Sequence, residues 1–197
     1  MARREPSYFV MISIIIPNRM EENILRTHES IFALYPSFQL ITVNDRDSRG
    51  KGWALKQGLK FAYFDYIAFL DGDMDIHPSE LDKLIRRIST CDVVVGKKEI
   101  SGPWHRKVIT YLSRVFIKIL FSFDFDTQTG IKIFKSRYLK QWKCNSFAFD
   151  LEVLKNAKDM GAVIKEVPIE VIIKKAMPGK SILKFIVDAI RIRYGCI

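Results

Sequence analysis

Carboxylates crowd one stretch of this 197-residue chain: Asp71-Gly72-Asp73 follows the apolar run 66–70, and Asp75 comes two residues later. Clustered carboxylates repel one another unless a cation or hydrogen-bond donors neutralise them. A hard divalent ion such as Mg²⁺ or Mn²⁺ does so, and typically shares its shell with substrate phosphates. Asp71, Asp73 and Asp75 are therefore candidate metal ligands, and the glycine lets backbone and ligand approach closely. The same residues also read as an acidic turn capping a helix that begins near Ser79. Asn44-Asp45 closes another apolar run and offers hydrogen-bond acceptors to a base or ribose, although turn formation alone accounts for Asn, Asp and Gly there.

Such groups work only if elements bring them to one place. Residues 8–16 alternate β-branched side chains as a buried strand does, ending at Pro17. Residues 21–35 read as an amphipathic helix with Ile24, Leu25, His28, Ile31 and Phe32 on one side. Strand patterns follow at 38–44, 66–70 and 91–95, with helical patterns at 53–63 and 79–88 between them. Alternation of this kind predicts an α/β fold with a parallel sheet and helices on both faces. Ligands then bind at the carboxyl ends of the strands, where strand order reverses. Residues 18–22, 44–47 and 71–75 all fall at such ends. The second half is less regular: helices at 106–121, 149–158 and 181–193, a strand at 131–134, and one or two strands over 163–173 broken at Pro168. Nothing marks a boundary, so 1–197 is read as one domain, with about 8–100 as the ligand-binding half and about 101–197, which ends in an amphipathic helix, as the acceptor-side half.

Apolar residues make up 48% of the chain and charged ones 27%, which excludes disordered and collagen-like classes. Cys91, Cys144 and Cys196 are far apart and odd in number, so a disulfide framework and a Cys-x-x-Cys zinc site are both excluded. No uncharged stretch approaches the roughly 20 residues of a bilayer-spanning helix, and a cytoplasmic location is expected. The net charge of +10 is uneven: residues 1–80 hold 9 basic and 11 acidic side chains, residues 81–197 hold 23 and 11. An acidic half suits a cation and a basic half an anionic partner. Cations alternate with apolar residues over 106–118 and 180–193, as in a helix with its apolar face in the core or one resting on a membrane surface. His77 lies within reach of a metal or diphosphate, His28 belongs to a buried helix face, and His105 sits in a loop. Trp53, Trp104 and Trp142 suit core packing or stacking on a sugar.

Ser13-Ile-Ile-Ile-Pro17…Glu21, Val43-Asn-Asp45, Gly50-Lys-Gly-Trp-Ala-Leu-Lys-Gln-Gly58 and Phe69-Leu-Asp71-Gly-Asp73-Met-Asp75 together resemble glycosyltransferase family 2. That is the inverting group of GT-A fold which includes the dolichyl-phosphate mannose and glucose synthases. Val93-Val-Val-Gly96, Asp126-Thr-Gln-Thr-Gly130, Phe149-Asp150-Leu-Glu152, Glu166-Val-Pro168-Ile169 and Gly179-Lys180-Ser181 continue the likeness in order. The resemblance implies a nucleotide-sugar donor, GDP- or UDP-linked, bound by Pro17, Glu21, Asn44, Asp45, Lys51, Asp71 and Asp73. Met20 replaces the family's usual Asn and Asn44 its commoner Asp. It also implies Mn²⁺ or Mg²⁺ on Asp71 and Asp73, a catalytic carboxylate at Asp150 with Glu152 as the near alternative, and Lys97-Lys98 in place of Ser-Arg after Gly96. The implied acceptor is a sugar hydroxyl, for which Asp150 would take the proton, or a polyprenyl phosphate, already anionic and needing no base. Without the resemblance, Asp150 and Glu152 read as a helix N-terminal pair favoured by the helix dipole. Two other readings stand beside it: a nucleotidyltransferase, which expects a Gly-rich loop that residues 17–22 lack, and a basic nucleic-acid-binding domain, for which no recognition motif is present.

Overall fold

β-Branched residues set the first strand of the computed structural model, which describes residues 10–98, 104–139, 142–172 and 179–195. Expectations placed on Tyr8, Ile173 and Cys196, and on the side chains of His105, Arg106, Lys107, Lys180 and Ser181, lie outside the described residues. In β1 (Ile12–Asn18) the side chains alternate: Ile12, Ile14 and Ile16 enter one core cluster and Ile15 the other, all fully buried. Burial of that kind stabilises by about 1.5–3 kcal/mol per side chain. β2 (Gln39–Asn44) and β3 (Tyr66–Leu70) pair with β1 in parallel on its two sides. β4 (Val93–Lys98), β5 (Ile131–Lys135) and β6 (Ile164–Ile169) complete a six-stranded sheet of order β2-β1-β3-β5-β4-β6.

Helices cover both faces. α1 (Ile24–Leu34) and α3 (Leu81–Ile88) pack on the Ile12–Ile14–Ile16 side. α2 (Lys51–Leu59), α4 (Trp104–Phe121), α5 (Phe149–Asp159) and α6 (Gly179–Tyr194) pack on the other. Trp142 lies in that second cluster, and its indole N–H donates to the Gly52 carbonyl at 3.0 Å.

The sheet is mixed, not parallel as the alternation of elements predicts. β5 runs antiparallel to both β3 and β4. A parallel crossover must deliver the chain to the opposite edge of the sheet; α4 and residues 122–130 instead return it to the edge where β4 ended. The start of β5 therefore lies beside the end of β3, with Ile131 opposite Leu70. Two further corrections concern faces and breaks. α1 begins at Ile24, and the row it turns inward is Ile24, Thr27, His28 and Ile31, so Leu25 and Phe32, one position further round, are 69% and 59% exposed. β6 runs unbroken through Pro168, because it is an end strand of the sheet and one of its sides has no strand to bond.

Candidate functional site

β2 and β3 flank β1, so strand order reverses at β1 and a crevice opens between the turns that follow these strands. The turn after β3 is pinned from three sides. The Asp71 amide donates to the Gly130 carbonyl at 3.0 Å. Thr27 Oγ1 donates to the Gly72 carbonyl at 3.1 Å, and Asn23 Nδ2 to the Asp73 carbonyl at 3.0 Å. Packing is tight at Gly72: a Cβ there would stand 2.8 Å from Ile24 Cδ1 and 3.0 Å from Ile16 Cγ2. At Gly130 a Cβ would overlap the Asp71 carboxylate as it is placed here.

The loop after β2 is built around Asp45, whose buried carboxylate accepts the Arg49 amide at 2.8 Å and the Gly50 amide at 2.7 Å. Gly50, at φ +111°, and Gly52 let the backbone of residues 144–145 press against the start of α2. Gly52 N–H donates to the Asn145 carbonyl at 3.1 Å. Glu152, in the first turn of α5, holds that same segment by accepting the Lys143 and Cys144 amides at 2.9 and 2.8 Å.

Lys51, between the two glycines, reaches across the crevice to Asp71, with Nζ 2.5 Å from Oδ1. Burial alone would lower the Lys51 ammonium, but the charges of Asp71, Asp150 and Asp73 outweigh it and hold its pKa above the ordinary value. Burial pushes the Asp73 carboxyl up, and the Asp71 and Asp75 charges act in the same direction. Behind this pair, Lys132 Nζ lies 2.8 Å from Asp150 Oδ1, both side chains being nearly inaccessible. Burial lowers the Lys132 pKa and raises that of Asp150, each against the pull of the other's charge.

The turns after β1, β2 and β3 border one hollow of about 560 Å³, a size typical of small-molecule sites. Pro17, Glu21, Asp45, Lys51, Asp71 and Asp73 line it. Asn44 is exposed, accepts from Asn18 Nδ2 at 2.6 Å, and is not on that lining. Asp75, Asp150 and Glu152 are not on it either. His77 is exposed, and its Nδ1 accepts the Ser79 amide at the start of a 3₁₀ turn, Pro78–Glu80. Among the described residues no three His, Cys, Asp or Glu side chains gather closely enough to hold a metal by themselves, so the three-carboxylate set drawn from Asp71, Asp73 and Asp75 is not assembled.

Residues 45–142 match the model of Glycosyl transferase family 2. Those residues carry the family 2 glycosyltransferase likeness. The chain is 24% identical to an uncharacterised protein of Methanocaldococcus jannaschii over 66% of its length. It is 23% identical to the undecaprenyl-phosphate mannosyltransferase of Micrococcus luteus over 61% of its length. It is 24% identical to the dolichyl-phosphate beta-glucosyltransferase of Dictyostelium discoideum over 92%. It spans 63%, 52% and 62% of those three relatives. Its fold matches glucosyl-3-phosphoglycerate synthase from Mycobacterium tuberculosis, solved with Mn²⁺ and UDP-glucose, at a TM-score of 0.76 and 18% identity, covering 95% of this chain and 80% of that one. The same enzyme has been solved with Mn²⁺, UDP and phosphoglyceric acid, again at a TM-score of 0.76. The architecture is that of the GT-A glycosyltransferases.

Part of the lining escaped the sequence reading. Asn145, Ser146 and Phe147 come from the connection into α5, and Lys184 and Phe185 from α6. The available signal was the Gly50-Lys51-Gly52 spacing: two glycines flanking a lysine call for another backbone in close contact. Which segment supplies it is not written locally.

Proposed function

We propose that this chain transfers a hexose from a nucleoside-diphosphate sugar, GDP- or UDP-linked, to an acceptor that carries a phosphate, with inversion at the anomeric carbon. The observation that carries this reading is the convergence of Lys51, Asp71 and Asp73 on one hollow at the reversal point of the sheet. An acceptor oxygen forms the new bond to the anomeric carbon, the bond from that carbon to the β-phosphate oxygen breaks, and the nucleoside diphosphate leaves with the electron pair. Glu21, Pro17 and the Asp45 loop suit the nucleoside, because they form the wall contributed by β1 and β2. Lys51 fixes the Asp71 carboxylate and brings positive charge to the hollow where the diphosphate would lie.

Asp73 fits a divalent ion shared with donor phosphates. It is an oxygen ligand on the wall, its carboxyl is pushed up by burial and neighbouring charge, and Mg²⁺ is commonly held by one or two carboxylates plus phosphate oxygens. Such an ion, when bound, would stabilise the charge that builds on the departing diphosphate. The expected partner Asp71 is already engaged by Lys51.

A phosphate-bearing acceptor is favoured by Asp150. That carboxylate is buried against Lys132 and is not on the wall, so it is poorly placed to take a proton from a hydroxyl, whereas a phosphate oxygen needs no base. The names of the Micrococcus and Dictyostelium relatives, and the phosphoglyceric acid bound by the structural neighbour, support the same chemistry. Asp150 then acts through Lys132 and Lys51, setting the field at Asp71. Among the described residues no helix is long and apolar enough to cross a membrane. The outward Tyr111, Leu112 and Ile119 of α4 suit contact with a membrane that carries a lipid phosphate.

The test is transfer from UDP-glucose and GDP-mannose to undecaprenyl phosphate, with Mn²⁺ or Mg²⁺ present. Asp73→Asn should lower kcat by about 100-fold or more, the scale of losing one preorganised electrostatic element. Undiminished transfer by that variant rejects the site.

A further inference from the structure

Arg19, Arg49, Lys51 and Lys184 are the cationic residues on the hollow, and the reading above gives Lys184 no task. Lys184, on α6, lines the hollow and is exposed there. Among the described residues it has no carboxylate in ion-pair contact, unlike Lys51 with Asp71 and Arg49 with Asp47. Asp188, one helical turn on, is turned away to Ser146, whose Oγ donates to Asp188 Oδ2 at 2.6 Å. That bond ties α6 to the 145–147 segment, which the Gly50–Gly52 contacts hold against α2. Lys184 is thus carried on a braced element. Phe147 lines the same hollow and is 58% exposed. An ammonium without an ion-pair partner among the described residues and an exposed aromatic residue in one hollow match a phosphate monoester with carbon attached: the cation meets the anion and the ring meets the hydrocarbon.

We propose that Lys184 holds the phosphate of the acceptor, with Phe147 beside it covering the first carbons of that acceptor. The inference rests on the glycosyl-transfer reading for the word acceptor, but phosphate binding at Lys184 is measurable without a donor. Donor groups belong to the ends of β1, β2 and β3, the turns that follow them and the start of α2; Lys184 and Phe147 belong to the second half of the chain, so the two sides of the hollow are built from different elements.

The experiment titrates farnesyl phosphate, glycerol 3-phosphate and UDP separately into the full chain by calorimetry, for the wild type and for Lys184→Ala, Lys184→Arg and Phe147→Ser. Lys184→Ala should weaken both phosphate monoesters by about tenfold, the equivalent of one charge-assisted contact, while UDP affinity stays within about twofold. Lys184→Arg, which keeps the charge, should stay within about threefold of the wild type. Phe147→Ser should weaken farnesyl phosphate and leave glycerol 3-phosphate unchanged if the acceptor is a lipid; equal binding of the two in every variant assigns a small soluble phosphate and removes Phe147 from the subsite. Parallel loss of UDP and the monoesters in Lys184→Ala would assign the lysine to the donor and overturn the proposal. So would unchanged monoester binding, or a wild type that binds neither. A wild type that takes the monoesters through Lys184 but no UDP sinks the donor assignment alone.

Discussion

Lys132 is only 2% exposed at its side chain, yet it carries a charge next to the candidate site. Its ammonium is met by Asp150 at 2.8 Å and by the Thr129 carbonyl at 2.5 Å. A buried pair of this kind adds little net stability, but breaking it leaves an uncompensated charge. Lys132→Met should therefore cost about 3–5 kcal/mol at pH 8, and Lys132→Met with Asp150→Leu should recover most of that. The pH dependence of the single variant has a definite sign. Burial already raises the Asp150 pKa, and removing Lys132 removes a charge that lowers it. The folded variant then binds a proton more readily than the unfolded chain, so its deficit shrinks as pH falls. Urea unfolding at pH 8 and pH 5 checks both points; a deficit equal at the two pH values, or a double variant as unstable as the single one, contradicts the pairing.

The strands themselves were legible because each is a short apolar run bounded by turn residues: β3 falls on the expected residues, and β2 and β5 within one residue of them. The direction of β5 was not legible, since it depends on which edge the chain reaches after α4 and not on the composition of Ile131–Lys135. Continuity through Pro168 was not legible either, because an end strand and an inner strand have the same local pattern. At the sheet end away from the hollow, Asp92 joins β4, β5 and β6 in a way no motif announces. Its carboxylate accepts the Val163 amide at 3.0 Å, Lys135 Nζ at 3.0 Å and Arg137 Nη2 at 3.1 Å. The Val163 amide and then the two cations hold its pKa down to about 2, against an ordinary value of 3.8. A depressed carboxyl contributes stability that is present above its unfolded value and lost as pH falls through the folded one. Asp92→Asn should thus destabilise by about 1.5 kcal/mol at pH 7, and the gap from the wild type should close between pH 4 and pH 2. Thermal melts across that range measure it; a gap independent of pH would mean that the charge is not what joins the strands.

At the scale of the whole molecule, the hollow is one wall of sheet turns and one wall of later chain. The first wall was legible because strand-end residues in an α/β sheet must meet at one edge: Pro17, Asp45, Asp71 and Asp73 are separated in sequence but line one volume. The second wall was not, because Asn145–Phe147 and α6 approach through long-range packing that leaves no periodic signature. The glycine contacts at α2 join the two walls, and the Ser146–Asp188 hydrogen bond joins α6 to the rest of the second wall. Asp188 is itself buried, with a relative exposure of 8%, so removing its partner strands a carboxylate as well as freeing α6. Ser146→Ala should cost about 1–3 kcal/mol, which lowers the melting temperature by roughly 2–4 °C per kcal/mol in a chain of this size. The loss should be uneven. Amide exchange should quicken in Phe185–Tyr194 while β1 and β3 stay protected, because α6 is held at its inner face by this bond and by packing, whereas the strands are held by full ladders on both sides. Uniform acceleration across sheet and helix would instead mean that α6 and the sheet open as one unit, and that the two walls are not separable parts.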